Sequence, residues 1–365
     1  MALKCGIVGL TNSGKTTIFN CFSNTKGEVT NYGYSTDKSN LGTIKVPDPR
    51  LDELNKYQET EKIIPTVVDI VDIPGLAKGA GEGEGLGNKF LDDLRYSDAV
   101  IHVVRCFDSE EVPHPEGNVD PVRDIEIIDM ELGVKDLESV ERKIERLQKV
   151  AKSGDKDAKK GIAALDKIRE QLENMQTVRN MELTDEELSY IEDLNLLTVK
   201  PILYVLNVDE ASAVEGNKYT KAAEEALKNE DAEIFYVAAE LESEIAELEE
   251  EEERREFLAD AGLNEPGVAK LLQSAYKLLN LNTFFTIGPK EIRAWTIKKG
   301  ATAPEAAGAI HSDLEKGFIR AEVIDFDDFV RLGSELKCKE EGKLRLEGKK
   351  YVVKDGDLLN IRFNV

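Results

Sequence analysis

Cysteine is scarce in this 365-residue chain, and the four present, Cys5, Cys21, Cys106 and Cys338, lie far apart with no CxxC pair. That spacing argues against a disulfide framework and a thiolate zinc site, and suits reduced thiols in the cytosol. Long hydrophobic runs are missing too: none approaches the roughly 20 residues that cross a bilayer. The start, MALKCGIVGLTNSGKT, has no apolar stretch with a cleavage site of the kind a signal peptide carries. Neither membrane insertion nor secretion is expected, and a cytoplasmic location is. Positive charge is in deficit, with 48 Lys and Arg against 72 Asp and Glu and a net charge of -24. Such a chain repels phosphate backbones at long range, which disfavours non-specific DNA binding.

What is present is the composition of a soluble globular protein, 41% hydrophobic and 33% charged, long enough for two or three domains. The acid is unevenly spread: Phe284 to Val365 holds 15 basic and 14 acidic residues, so this near-neutral part reads as a separate domain. Lys4 to Gly9, Thr66 to Ile73, Ala99 to Arg105 and Pro201 to Asn207 are β-branched apolar runs, and Lys15 to Ser23 reads as a helix. Short buried strands alternating with helices define an α/β parallel sheet covered on both faces.

Before the last of these strands the rhythm changes. Leu137, Val140, Ile144, Leu147 and Val150, then Ile162, Leu165, Ile168, Leu172 and Met175, recur at helical spacing on either side of a polar turn at Lys152 to Lys160. Two amphipathic helices so joined fold back as an antiparallel hairpin, serving either as a buttress or as a partner-binding arm. Thr184 with Glu187 reads as a capping box. The acidic run from Glu247 to Glu256 reads as a solvated helix face. Beyond Thr283, strand-like FFTI, IRAWTI and YVV segments surround a helix near Ala303 to Lys316, with Asp355-Gly356 as a hairpin turn. This is a small α+β domain.

Gly9-Leu10-Thr11-Asn12-Ser13-Gly14-Lys15-Thr16 satisfies GxxxxGK[ST] between a strand and a helix, where a phosphate cradle has to be. Its glycines let backbone N–H groups approach polyphosphate, as do Asn12, Ser13 and Thr17 within the turn and first helical residues. Lys15 reaches the β- and γ-phosphates, and the Thr16 hydroxyl is placed for Mg²⁺. Asp72-Ile73-Pro74-Gly75 follows a strand, so Asp72 can hold the metal through water, and Gly75 can sense the γ-phosphate. The glycine-rich segment Lys78 to Gly87 suits a loop that orders on γ-phosphate. Ser35 and Thr36, in the polar stretch Asn31 to Asn40, each offer a further hydroxyl to the metal. Asn207-Val208-Asp209-Glu210 stands where GTPases carry NKxD. Glu210 in place of the aspartate misplaces the acceptor for guanine, Val208 replaces the lysine, and Asp209, one position early, points elsewhere; adenine is the better fit.

GLTNSGKT, DIPGL, KGAGEGEGLGNKFL and NVDE, in this order, resemble the YchF family of Obg-like ATPases over the whole chain. The resemblance implies a P-loop NTPase domain at 1–130 and 198–282, an inserted coiled-coil hairpin at 131–197, and a TGS domain of β-grasp fold at 283–365. It also implies that Thr36 is the Mg²⁺ threonine and that Ala238-Ala239 replace the base-contacting SAK motif, with Glu240 a departure at its lysine. Leu76 stands where many GTPases place the water-orienting glutamine, and the resemblance makes His114 the substitute; a loop histidine is otherwise a solvated surface residue. His102 and His311 read as structural. The expectation is a monomeric, Mg²⁺-dependent ATPase that cycles between ATP and ADP and binds the ribosome, as the 50S subunit or the 70S particle. A GTP-specific regulator and a nucleotide-gated ribosome-binding protein with incidental hydrolysis are the alternatives.

Overall fold

A computed structural model describes residues 3–24, 40–58, 60–74, 91, 93–230, 232–248 and 250–364. The chain divides into two compact units, one of Leu3–Ile44 with Asp69–Leu271, the other containing Lys45–Val68 with Leu272–Val365.

The larger unit is organised by a six-stranded sheet in the order β2-β4-β1-β5-β6-β7. Its strands are β1 (Leu3–Val8), β2 (Asn40–Lys45), β4 (Val67–Asp72), β5 (Ala99–Arg105), β6 (Ile202–Asn207) and β7 (Glu233–Val237). Pairs β1/β5, β5/β6 and β6/β7 are parallel. Every residue of β5 and β6 is buried, as continuous apolar strands covered on both faces require. One core packs Val100, Val104, Tyr204 and Leu206 of the sheet with Ile125, Ile128 and Leu132 of the helix Pro121–Ala151.

That helix is the first arm of the hairpin, and it starts earlier than the apolar rhythm alone suggests. Asp120 caps it by accepting from Arg123 N–H, with Pro121 in the first turn, so a boundary at 131 falls inside a helix and the hairpin is rooted in the sheet's core. The second arm, Lys156–Glu173, likewise begins within the expected turn because Asp155 caps it. The arms are antiparallel: a Cβ at Gly161 would meet Leu147, and one at Gly133 would meet Leu172. Val140, Ile144, Leu165, Ile168 and Leu172 fill the seam. Buried Asp136 pins the return of the chain, accepting from Leu197 N–H, Thr198 N–H and the Thr198 hydroxyl. The Thr184–Glu187 capping box forms.

In the other unit the sheet order is β11-β10-β12-β8-β9-β3, with β3 (Lys62–Ile64), β8 (Leu281–Ile287), β9 (Glu291–Lys298), β10 (Phe318–Ile324), β11 (Arg345–Glu347) and β12 (Leu358–Phe363). Successive residues of β8 serve its two faces. Phe284 packs with Ala303, Ala306 and Ala307 of the helix Ala303–Ile310, and Phe285 packs with Leu51, Leu54 and Phe329. Two expectations change here. Residues 45–68 belong to this unit rather than to the nucleotide-binding part, because β3 pairs in parallel with β9 and Leu51 and Leu54 complete a core. Tyr351–Val353 is not a strand of the sheet: Val353 N–H and Tyr351 C=O bond the loop at Ala301 and Ala303, so the turn at Asp355-Gly356 does not join two paired strands. The helix expected near Ala303 to Lys316 is two helices, with His311 capping the second.

Candidate functional site

Strand β1 ends at Val8, and residues 9–14 turn before the helix Lys15–Asn24. Two glycines are dictated by space as well as by backbone. At Gly9 a Cβ would stand 2.3 Å from the Val103 carbonyl, and at Gly14 it would stand 2.1 Å from Asn207 Nδ2, with φ at +151° and +96°. Asn12 also adopts positive φ, at 64°, which asparagine tolerates. The turn therefore keeps its N–H groups close to whatever it encloses.

Lys15 is buried at 5% exposure and donates from Nζ to Leu10 O at 2.7 Å, folded back over the turn. Burial holds its ammonium down, to about 8, with the charge of Asp72 pulling the other way. Thr16 opens the helix and its Oγ1 lies 3.0 Å from Asp72 Oδ2, at the end of β4. Burial raises the Asp72 carboxyl, against the Thr16 hydroxyl, the charge of Lys15 and the nearby Asn40 side chain. Asp72 Oδ1 is buried without a hydrogen-bond partner. One hydroxyl beside one carboxylate with an uncommitted oxygen is a donor set that fits Mg²⁺, which keeps waters and phosphate oxygens for its remaining positions. Among the described residues no cluster of three or more His, Cys, Asp or Glu forms an all-protein metal cage. Ser13 is buried, and Thr17 is half-buried in the first helical turn.

The base-side loops converge on the same turn through one side chain. Asn207, buried at the end of β6, donates from Nδ2 to Ser13 O at 2.9 Å and accepts at Oδ1 from Ala239 N–H at 3.1 Å. The cradle, the loop after β6 and Ala238-Ala239 are thus fastened together. Val208 packs into the core of the sheet, so it offers the site backbone rather than side chain. Asp209 is committed to its own turn, accepting from Ser212 N–H and the Ser212 hydroxyl, while Glu210 is exposed. Ala238 and Ala239 are buried, and Glu240 is exposed in the first turn of the helix Ala239–Glu247.

His114 is not a solvated loop residue. Its side chain is 4% exposed, and Nε2 lies 2.8 Å from Asp124 Oδ2. Nδ1 accepts from Glu116 N–H at 3.1 Å, which puts the proton of a neutral ring on Nε2, donated to Asp124. Neither nitrogen is left over to hold a water. The loop nonetheless adjoins the cradle, because Asn12 Nδ2 donates to Pro113 O at 2.9 Å. Asp124, in the first turn of its helix, and the Asn12 contact escaped sequence reasoning, since neither belongs to a motif. His102 is buried against Tyr204, and burial lowers its imidazole to about 3, so it stays neutral within the sheet. Exposed His311 caps a helix by accepting from Asp313 N–H. Thr36, Ser35, Gly75, Leu76 and the segment Lys78 to Gly87 lie outside the described residues.

A strand–glycine turn–helix with its lysine, a hydroxyl and carboxylate side by side, and a base-side asparagine tied to the turn together define a P-loop nucleoside triphosphatase. Residues 4–167 match the family described as 50S ribosome-binding GTPase, and residues 281–364 match the YchF-GTPase C-terminal family, described as a protein of unknown function (DUF933). Over its full length the chain is 51% identical to the "Ribosome-binding ATPase YchF" of Haemophilus ducreyi and 48% identical to that of Bacillus subtilis, covering 100% of each. The solved structure of the Schizosaccharomyces pombe YchF GTPase matches with a TM-score of 0.87 at 35% identity, over 99% of this chain and 97% of that one. The chain belongs to the YchF family.

Proposed function

We propose that this chain binds ATP with Mg²⁺ in the glycine-turn cradle, hydrolyses it slowly, and acts as a nucleotide-dependent switch on the ribosome. The observation that carries the reading is the meeting of Lys15, Thr16 and the uncommitted Asp72 oxygen at one helix N-terminus. Relatives about half identical over their whole length are named ribosome-binding ATPases, which supports both activity and partner.

Backbone N–H groups of the turn and the Lys15 ammonium face the phosphates and neutralise charge that develops on them. Thr16, Asp72 and Thr36 would hold Mg²⁺, which would supply positive charge to neutralise the phosphates. Glycines 9, 14 and 75 with Asn12, Ser13 and Thr17 line the polyphosphate, and Asn207, Val208, Glu210, Ala238 and Ala239 line the base. ATP is preferred to GTP because Asp209 is spent on Ser212 and Glu210 carries the extra methylene, so the guanine N1–H and amino group lack a fitted acceptor. For His114 to position water, its ring must first give up Asp124 or the Glu116 N–H, which fits a slow basal turnover raised by the ribosome. We assign the C-terminal unit as a TGS domain and the protein as a cytoplasmic monomer. No described helix is long and apolar enough to cross a membrane.

Competition of ADP against GDP for the free protein tests the specificity. ADP is expected to bind at least tenfold tighter, about 1.4 kcal/mol, and a preference for GDP of that size removes the ATP assignment.

A further inference from the structure

Arg105 ends β5, paired in register with Asn207, and is only 2% exposed. Its Nε donates to Phe107 O at 3.1 Å and its guanidinium lies 4.5 Å from the centre of the Phe107 ring. Nη1, however, is buried with no hydrogen-bond partner. The nearby acid Asp108 is engaged by the Tyr219 hydroxyl and by Lys218. A guanidinium does not shed its proton in a protein, so this is a persistent charge; Asp108 and Asp124 offset part of it through space, but the buried Nη1 donor stays unsatisfied, which is costly. An anion offsets that cost.

There is room for one. Arg105 lines an open cavity of about 660 Å³ together with Ser109, Pro113, His114 and Asn118. Ser109 Oγ accepts from Val112 N–H, which leaves its hydroxyl proton to donate, and Asn118 uses Oδ1 for Arg123, which leaves its amide N–H groups. Asp108 and Glu110 also line the cavity, but both are exposed to water, where their charge is screened. Pro113 is the wall shared with the cradle, since its carbonyl takes the Asn12 amide.

We propose that this cavity is an oxyanion site with Arg105 as its cation, and that its ligand is the inorganic phosphate released by hydrolysis in the adjoining cradle. The forked guanidinium matches a tetrahedral oxyanion, and Ser109 and Asn118 add neutral donors. The assignment rests on the ATPase reading for the source of the ligand, while the site itself rests on Arg105.

The test is calorimetric titration of inorganic phosphate at millimolar concentration into the full-length chain saturated with ADP, so that the cradle is filled. Wild type is expected to bind phosphate, and Arg105→Gln to bind it at least tenfold more weakly, with ADP affinity unchanged within about twofold. If Arg105→Gln does not fold, Arg105→Lys decides: it keeps the charge, loses the fork, and is expected to lose several-fold in phosphate affinity. Phosphate affinity equal in wild type and the folded variant overturns the proposal, as does no phosphate binding to ADP-loaded wild type. A fall in ADP affinity that parallels the fall in phosphate affinity also overturns it, by giving Arg105 to the nucleotide. A chain that binds no ADP at all sinks the hydrolase reading and the product assignment together, whereas ADP binding without phosphate binding sinks the cavity alone.

Discussion

His114 and Asp124 form a buried pair, Nε2 to Oδ2 at 2.8 Å, that fixes the ring inside its own loop rather than presenting it to the cradle. The pairing makes the catalytic assignment sharp. If the ring swings out to orient water, His114→Ala lowers turnover by about 10²-fold or more with ADP affinity unchanged, within the usual range for a lost acid–base group. Unchanged turnover removes the residue from the reaction and favours a nucleotide-gated binding protein whose hydrolysis is incidental.

Asn207 gives the second prediction. Asn207→Ala leaves the Ser13 carbonyl and the Ala239 N–H without their buried partner, at about 1–3 kcal/mol for each. ADP affinity is expected to fall at least tenfold. Asn207→Asp keeps an acceptor for Ala239 but loses the donor to Ser13, so it should also weaken binding. Wild-type affinity in both variants, measured by fluorescent-nucleotide displacement, would show that the clamp does not hold the cradle.

The third concerns protons. Burial lowers Lys15 to about 8, below its ordinary value, so by about pH 9 the ligand-free lysine is largely neutral, where an ordinary lysine is still charged. Phosphate restores the ammonium, and binding ADP near pH 9 therefore takes up a proton, with little uptake from this group near pH 7.5. Calorimetry in two buffers of different ionisation enthalpy measures the uptake directly. A proton count of zero near pH 9 contradicts the burial of a titrating lysine in the turn.

Much of this site could be read from residue order alone. GLTNSGKT fixes a backbone path through its glycines, and the Leu and Ile rhythm of the hairpin survives because two helices must share one seam. The helix starts at Pro121 and Lys156 were also available, in Asp120-Pro121 and Asp155, but the apolar rhythm does not report caps. Other features had no local signature. The three residues of β3 find β9 far along the chain, and nothing in KII says so. Val208 sits at a base-side position by motif, yet packing draws its side chain into the core. His114 lies in a Pro- and Gly-containing loop that reads as solvated, and only the fold brings Asp124 against it.

Glu242 yields a prediction on stability. It is 3% exposed, and Oε1 accepts from Gly267 N–H at 2.5 Å at the start of the helix Gly267–Leu278. Burial pushes its carboxyl up to about 7, against the N–H groups of Gly267 and Val268 and the charge of Lys270. A carboxyl raised on folding holds a proton that the unfolded chain releases, so its stabilisation is complete below about pH 4.5 and is lost as pH rises towards 7. Glu242→Gln should therefore resist urea better than wild type near pH 8, by on the order of 2–3 kcal/mol, with the gap closing near pH 5. Circular dichroism follows the unfolding, and a pH-independent difference would refute the assignment.

The placement of residues 45–68 in the C-terminal unit has a consequence for synthesis. Leu51 and Leu54, buried in the finished molecule among Phe285, Ile292 and Phe329, leave the exit tunnel long before those partners are translated. This segment must stay uncovered or be shielded until Phe285, Ile292 and Phe329 have been made, so the second unit becomes complete only with its later strands. A fragment that begins at 283 would lack an edge strand and part of one hydrophobic face, and is a poor stand-in for that unit.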